Sequence, residues 1–463
     1  MQKVAVIGAG SVSFTKKLVN DLLFDEAFQD AEFRLMDIDP DRLDFAGNTM
    51  RLVNERRGAN ATFLPTTDRI KALDGADFVI TVLQVGGDPT TQVDFEVCRQ
   101  HGLKLVIGDS MGVPGISRAL RTIPVMLDIC RDMERVCPDA HLLNYTNPMG
   151  MLLAAMLRGS SIKSVGLCHG VFGTARKLAK LIDVPYDRID YLCAGINHMA
   201  FFLKFEADGK DAYPLIRQAF DTTQKDEELV RQEMFRRLGY FMTESSYHLA
   251  EYVPYFLTSN ALIEEYDVAV DEYLLRSAEN VEIYRKVEQA FREGKNLLAD
   301  GGKIRFKPRS RMRLGHAEYG EEVTAFSIPN RPSGEYAADI CHAIATGEPF
   351  SFNGNVLNTG LITNLPHNTC VEVPCLVDRN GIQPTHVGEL PPQCAALIQT
   401  NLNVQELVTR GMLEQNRDYI YQAALLSPLA AAVLPSKEIY ALMDDLLAAH
   451  RDLVPAWVCG ELT

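Results

Sequence analysis

Residues 3–14 read K-V-A-V-I-G-A-G-S-V-S-F, and residues 33–39 read F-R-L-M-D-I-D. Val4 to Ile7 forms a short apolar strand that runs directly into Gly8-Ala9-Gly10. Phe14 to Leu23 then alternates at helical spacing, and Phe33 to Met36 is a second strand ending at Asp37. This order of strand, glycine turn, helix and acid-ended strand is the pattern of a nucleotide-binding βαβ unit. Gly8 permits a tight turn without a Cβ penalty, and Gly10 lets the backbone approach a pyrophosphate at the N-terminus of the next helix. Ser11, Val12 and Arg42 join them as candidate cofactor contacts. Asp37 can accept hydrogen bonds from ribose hydroxyls, which favours NAD over NADP. The third glycine of G-x-G-x-x-G is replaced by Ser13, a substitution that loosens helix–strand packing. The competing reading is a nucleotide-free turn with Asp37 capping Arg42.

The alternation continues. Asp77–Leu83, Leu103–Ile107, Ala140–Tyr145 and Ser164–Cys168 read as apolar strands, with helices at Arg118–Met133 and Met151–Leu157 between them. Such alternation indicates a parallel sheet covered on both faces. Gly86-Gly87, Asp109, Asn147 and Cys168-His169 all fall at expected carboxyl ends of strands, where an open α/β sheet places its ligands. Each also reads as an ordinary cap or turn residue; Asn147-Pro148 is a common loop signal. Beyond residue 195 the pattern is less regular: helices over Glu228–Leu238, Tyr273–Glu293 and Gln405–Tyr421, and a β-patterned stretch at Cys370–Val377 before a turn at Asn380-Gly381. The expected fold is therefore α/β, with a Rossmann-like parallel-sheet domain at 1–195 and a mixed α+β substrate-binding and oligomerisation domain at 196–463, like lactate and malate dehydrogenases overall.

The 463 residues carry 46 basic and 61 acidic groups, a formal charge of −15. That balance gives no encouragement for nucleic acid or anionic membranes as partners. One local exception is the basic run Lys303–Arg313, read as a solvated loop in preference to an anion site. No apolar run is long enough to span a membrane, and the first strand begins where a signal peptide would lie. The ten cysteines are scattered without paired C-x-x-C spacing, as expected of reduced thiols in a cytoplasmic protein.

Cys168-His169-Gly170 and Gly195-Ile196-Asn197-His198 place a thiol and an imidazole at ends of apolar runs. Together they can hold a divalent cation if the fold joins them; by spacing alone the preferred reading is a core cysteine and a hydrogen-bonded histidine.

Nearly the whole chain resembles glycoside hydrolase family 4, most closely its melibiose-type α-galactosidases. The resemblance runs through V-I-G-A-G-S, L-M-D-I-D-P-D-R-L, L-Q-V-G-G, N-Y-T-N-P-M, V-G-L-C-H-G, C-A-G-I-N-H-M-A, L-G-Y-F-M-T-E-S-S and V-E-V-P-C-L-V-D-R-N-G-I-Q-P. It implies an NAD+-dependent glycosidase with a divalent cation, usually Mn2+. Cys168 and His198 would be metal ligands, Asn147 a sugar contact, Asp109 a further member of the site and Gly86 part of the cofactor cleft. It also implies a homodimer or homotetramer. The implied route oxidises sugar C3 by hydride transfer to NAD+, which acidifies the C2 proton; elimination breaks the C1–O bond, water adds, and hydride returns to C3. A base removing that proton falls on Tyr247 or His248, with His248 preferred because its ordinary pKa lies near neutrality. His169 resembles the leaving-group acid. Relatives acting on 6-phosphosugars commonly carry Cys-Asn or Cys-Asp there, so Cys-His-Gly points to an unphosphorylated α-galactoside such as melibiose or raffinose. The alternatives are an α-glucosidase, α-galacturonidase or 6-phospho-α-glycosidase of the same family, a hydroxy-acid dehydrogenase, and a non-catalytic NAD-binding regulator.

Overall fold

In the computed structural model, which describes residues 1–222, 228–298, 304–311 and 322–460, the glycine turn follows a central strand of a parallel sheet. β1 (Lys3–Ile7), β2 (Glu32–Met36), β3 (Thr62–Thr66), β4 (Phe78–Thr81), β5 (His141–Asn144) and β6 (Lys163–Gly166) lie in the order β3-β2-β1-β4-β5-β6. All five pairings are parallel. This is the doubly wound order, whose ligand crevice lies outside the carboxyl ends of the strands. Helices cover both faces, so Val4, Ala5 and Val6 are all buried, as parallel strands require.

The sheet does not end at β6. β7 (Ile189–Ile196), β8 (Met199–Ala207) and β9 (Lys210–Asp211) form an antiparallel meander. β12 (Phe350–Leu357) and β13 (Cys370–Asp378) insert between β6 and β7, and β14 (Gly381–Pro384) pairs with β13. Among the described residues one twelve-stranded sheet thus joins the Rossmann-like part to a mixed α+β part, the expected fold class. A separate pair, β10 (Ile304–Phe306) and β11 (Val323–Phe326), completes the strands. No helix among the described residues is long and apolar enough to cross a membrane. All ten cysteines are unpaired.

Expected helices appear at Val12–Leu22, Gly112–Val136, Met149–Gly159, Leu229–Leu238 and Glu272–Arg292. Three expectations need correction. Asp77–Leu83 shortens to β4, which ends at Thr81, although Val82 N–H still donates to Ile7 O of β1. Gln405–Tyr421 is not one helix: Pro392–Glu414 ends at Gln415, which is left-handed (φ 54°), and Asn416 caps a new helix by accepting from Asp418 N–H. Leu103–Ile107 is buried but not a strand. Its neighbour in space is the Glu251 carboxylate, which accepts from the N–H groups of Val106, Ile107 and Gly108 at 2.6–3.1 Å. The carbonyls of Leu105 and Val106 accept from Asp271 and Tyr273. With its backbone groups satisfied by a side chain and a helix start, an apolar run needs no sheet.

Lys303, Met312 and Arg313 of the basic run lie outside the described residues. Arg309 faces Glu282 at 3.9 Å and Arg311 faces Asp267 at 2.6 Å.

Candidate active site

Two connections at carboxyl ends of strands, one extended segment and one short helix converge. β6 ends at Gly166, and Leu167 N–H bonds back to Asn144, which puts Cys168 at the lip of the sheet. β7 and β8 are joined by Asn197-His198, where His198 adopts φ 64°. Residues 241–243 run beside β8: Thr243 N–H donates to Ala200 O, and Ala200 N–H donates to Thr243 Oγ1. This delivers Glu244 next to the hairpin turn. The short helix Ser246–Tyr252 follows and carries His248, Glu251 and Tyr252.

The result is two overlapping sets of donors. Cys168, His198 and Glu244 each present a ligand atom within 4.8 Å of the others, as do Asp109, His198 and His248. Cys168 Sγ lies 3.4 Å from Glu244 Oε1, His198 Nε2 lies 3.7 Å from the same oxygen, and His248 Nδ1 lies 3.5 Å from Oε2. Tyr252 Oη holds His198 Nδ1 at 3.1 Å, so Nε2 is the nitrogen presented to the cluster. Thiol, imidazole and carboxylate at this spacing suit one divalent cation, with the carboxylate supplying the harder oxygen that manganese prefers. Glu244 was missed as a ligand in the sequence, although it stands inside the F-M-T-E-S-S stretch. A lone glutamate between polar residues carries no periodic signal.

Electrostatics follow from burial. Burial pushes the Cys168 thiol well above its ordinary value, and Glu244 adds to this. A cation binding there must displace the thiol proton. Burial alone would raise Glu244, but the facing His198, His248 and His169 more than offset it and hold the carboxyl below the usual range. The same holds for Asp109, where burial is opposed by His248, Arg118 and His198. Burial pushes His248 down to about 4 against the pull of Glu244.

Asp109 accepts from Ser110 Oγ at 2.6 Å and from Asn147 Nδ2 at 3.4 Å, so the expected sugar contact lies beside it. Arg118 Nε donates to Asn147 O at 3.2 Å. His169 follows Cys168 and is more than half exposed, with Nδ1 3.9 Å from Glu335. Tyr247 is not in the cluster. It turns away toward Glu272 and Arg311, and burial pushes its hydroxyl up to about 12.

At the glycine turn, Gly8 has φ 89°, and a Cβ there would lie 2.9 Å from Leu83 backbone. A Cβ on Gly10 would lie 2.6 Å from Asp37 Oδ2, which instead accepts from Gly10 N–H at 2.8 Å. Asp39, not Asp37, caps the helix carrying Arg42, accepting from Arg42 N–H. Asp37 therefore belongs to the turn. Ser11 and Val12 open helix Val12–Leu22, which has no side-chain cap and no acid in its first turn. Gly86, at φ 79°, begins the helix Gly87–Gln100 on the facing side.

Glu372, in the middle of β13, lies behind the cluster and is buried; burial and the charge of Glu244 push its carboxyl up to about 8. It is thus neutral at pH 7. Glu372→Gln is expected to change unfolding free energy by less than about 1 kcal/mol in urea titrations at pH 7, because one neutral group replaces another of the same shape. A loss of about 3 kcal/mol or more would mean that a buried charge had been removed.

Over 462 residues the chain is 41% identical to an α-galactosidase of Bacillus subtilis (strain 168), covering 99% of this chain and 100% of that protein. It is 32% identical to an α-galactosidase of Rhizobium meliloti (strain 1021), covering 98% and 89%. Among solved structures it shares its fold with a 6-phospho-α-glucosidase from gut microorganisms in complex with NAD and Mn2+. That match has a TM-score of 0.77 at 20% identity over 98% of this chain and 99% of the other. The model of the family 4 glycosyl hydrolases matches residues 3–184, and that of their C-terminal domain matches residues 193–430. With both halves matched, and the donor cluster built from the junction between them, the chain belongs to glycosyl hydrolase family 4.

Proposed function

We propose that this protein is an α-galactosidase that cleaves its substrate through reversible oxidation of the sugar, using NAD+ and a divalent cation, Mn2+ foremost. The observation that carries the reading is the convergence of Cys168, His198, Glu244, Asp109 and His248 at the lip of a sheet whose first turn is a dinucleotide cradle. The α-galactoside preference is supported by the two α-galactosidase relatives and by Cys-His-Gly at 168–170.

The residues fit both cofactors. Gly8 and Gly10 leave space that a Cβ would fill, and the open N-terminus of helix Val12–Leu22 suits a pyrophosphate. Gly8, Gly10, Ser11, Val12, Asp37, Arg42 and Gly86 would hold NAD+; Cys168, His198 and Glu244 would hold the cation. When bound, NAD+ supplies a reversible hydride acceptor and the cation supplies Lewis acidity. The chain supplies the proton transfers and the orientation. Ser245 Oγ lies 3.0 Å from His248 Nδ1, and with Glu244 it holds that nitrogen protonated, leaving Nε2 to take the C2 proton. His169 gives a proton to the leaving-group oxygen. Asn147 donates to a sugar hydroxyl, and Asp109 accepts from one.

Assembly as a homodimer or homotetramer and residence in a reducing, cytoplasmic compartment belong to the same reading; light scattering of the purified protein tests the first.

The decisive assay offers aryl α-galactoside, α-glucoside, α-galacturonide and 6-phospho-α-glucoside with and without NAD+ and Mn2+. Aglycone release is expected to be fastest on the α-galactoside, to need both additions, and to proceed without stoichiometric NADH. Net NADH formation would favour a dehydrogenase, and cleavage unaffected by removing nucleotide and metal would sink the reading.

A further inference from the structure

Glu335 stands at the N-cap of helix Tyr336–Thr346, where a side chain ordinarily accepts from the first N–H groups of its own helix. Its carboxylate makes no such bond. It is 1% exposed and turns away from the helix. Oε1 lies 2.5 Å from Lys17 Nζ and 3.9 Å from His169 Nδ1, while Oε2 is buried with no hydrogen-bond partner. A buried carboxylate that neither caps its helix nor satisfies both oxygens is destabilising. Serine or aspartate would serve the helix better. What Glu335 does reach is specific. Lys17 belongs to the helix that starts at the dinucleotide turn, and His169 is next to Cys168 and more than half exposed. An exposed imidazole with no partner on its far side is free to rotate, and a proton donor that rotates loses effective concentration at its target.

We propose that Glu335 is a positioning residue for His169, taking the Nδ1 side of the imidazole so that Nε2 faces the leaving-group oxygen. Lys17 anchors the carboxylate from the side of the dinucleotide helix. This rests on the reading of His169 as the leaving-group acid. As the C2–H electron pair becomes the C1–C2 double bond, the C1–O bond breaks with its electrons on oxygen. That oxygen takes the Nε2 proton. The Nδ1 proton stays toward Glu335, so the imidazole is left neutral in one tautomer. The arrangement repeats the logic of a histidine oriented by a carboxylate behind it.

The test uses the enzyme loaded with NAD+ and Mn2+ and two α-galactosides. The 2,4-dinitrophenyl glycoside needs no proton on its leaving group, and the methyl glycoside does. Glu335→Gln is expected to lower kcat on the methyl glycoside about 10- to 100-fold and on the dinitrophenyl glycoside less than about threefold, with KM little changed. In a His169→Ala background the same change is expected to add nothing further. A purely structural role would slow both substrates alike and add fully to His169→Ala; either result overturns the proposal. If Glu335→Gln does not fold, Glu335→Asp keeps the charge one methylene farther back. It is expected to show the same bias at smaller size, and an unbiased loss there also overturns the proposal. His169→Ala separates the two layers. If it slows both substrates alike, the acid role of His169 falls and this proposal with it. If it shows the bias and the Glu335 variants do not, only the Glu335 assignment fails.

Discussion

Replacing His198 with alanine is expected to lower kcat/KM on an α-galactoside by about a thousandfold and to abolish the response to Mn2+, because Lewis-acid stabilisation is worth several kcal/mol and about 4 kcal/mol is three decades in rate. The neighbouring imidazole, His248, has its ring 4.8 Å away and meets the other oxygen of Glu244. His198 sits at the two-residue turn between β7 and β8 in the left-handed region, a conformation uncommon for a residue with a Cβ, and Tyr252 holds its Nδ1. Removing it takes away the one donor common to both sets and leaves His248, 3.5 Å from Glu244, as the contact between them. Cys168→Ser is expected to act in the same direction, since a hydroxyl does not ionise at neutral pH as a bound thiol does. Tyr252→Phe frees the His198 ring and is expected to weaken Mn2+ binding about tenfold or more, as loss of an outer partner does at other metal sites. Free Mn2+ measured by electron paramagnetic resonance reads all three variants. Full activity and unchanged Mn2+ affinity in His198→Ala would remove the metal site from the cluster.

His248→Ala is expected to cost between about 100- and 10,000-fold in kcat, the range for a general base, while Tyr247→Phe stays within about threefold of wild type. The two residues are adjacent in the chain yet project to different surroundings: one into the donor cluster, the other toward Glu272 and Arg311. Burial sets the pH dependence. A base works when neutral, and burial pushes His248 down to about 4 from the ordinary 6.5. A bound cation pushes the same way. The acid limb of kcat should therefore lie below pH 5, not near 6.5. The same shift bears on stability. Between pH 6.5 and 4 the unfolded chain binds a proton at this residue that the folded chain refuses, so its contribution to stability is lost as pH falls through that window. Exchange of the C2 hydrogen in deuterated water follows the proton transfer directly. Exchange that persists in His248→Ala and vanishes in Tyr247→Phe would reverse the assignment.

The sequence was most legible where one physical rule acts over a short span. The glycine turn, the acid that closes β2 and the doubly wound part follow from period and turn chemistry within the first 166 residues. Cys168 and His198 were recognised through family resemblance, because 30 residues separate them and no local rule links the two. Legibility failed where a distant side chain satisfied local backbone. Leu103–Ile107 has the composition of a strand, but Glu251, more than 140 residues away, occupies its N–H groups. Gln405–Tyr421 has continuous helical spacing, and the break at Gln415 and Asn416 is a matter of capping that periodicity does not register.

The sequence by itself determined the glycine turn, the α/β class, and the family whose motifs run in order along the chain. Those are properties of neighbours, set by glycine at Gly8 and Gly10, alternating apolar strands and amphipathic helices. Only the tertiary structure decided that Glu244 completes the donor set, that His248 faces it while Tyr247 does not, and that Glu335 stands behind His169. Each of those depends on which way one side chain points across a gap between elements. That direction is set by packing: residues 241–243 run beside β8 and turn Glu244 inward, and the chain folds back so that a helix starting at Tyr336 meets one starting at Val12.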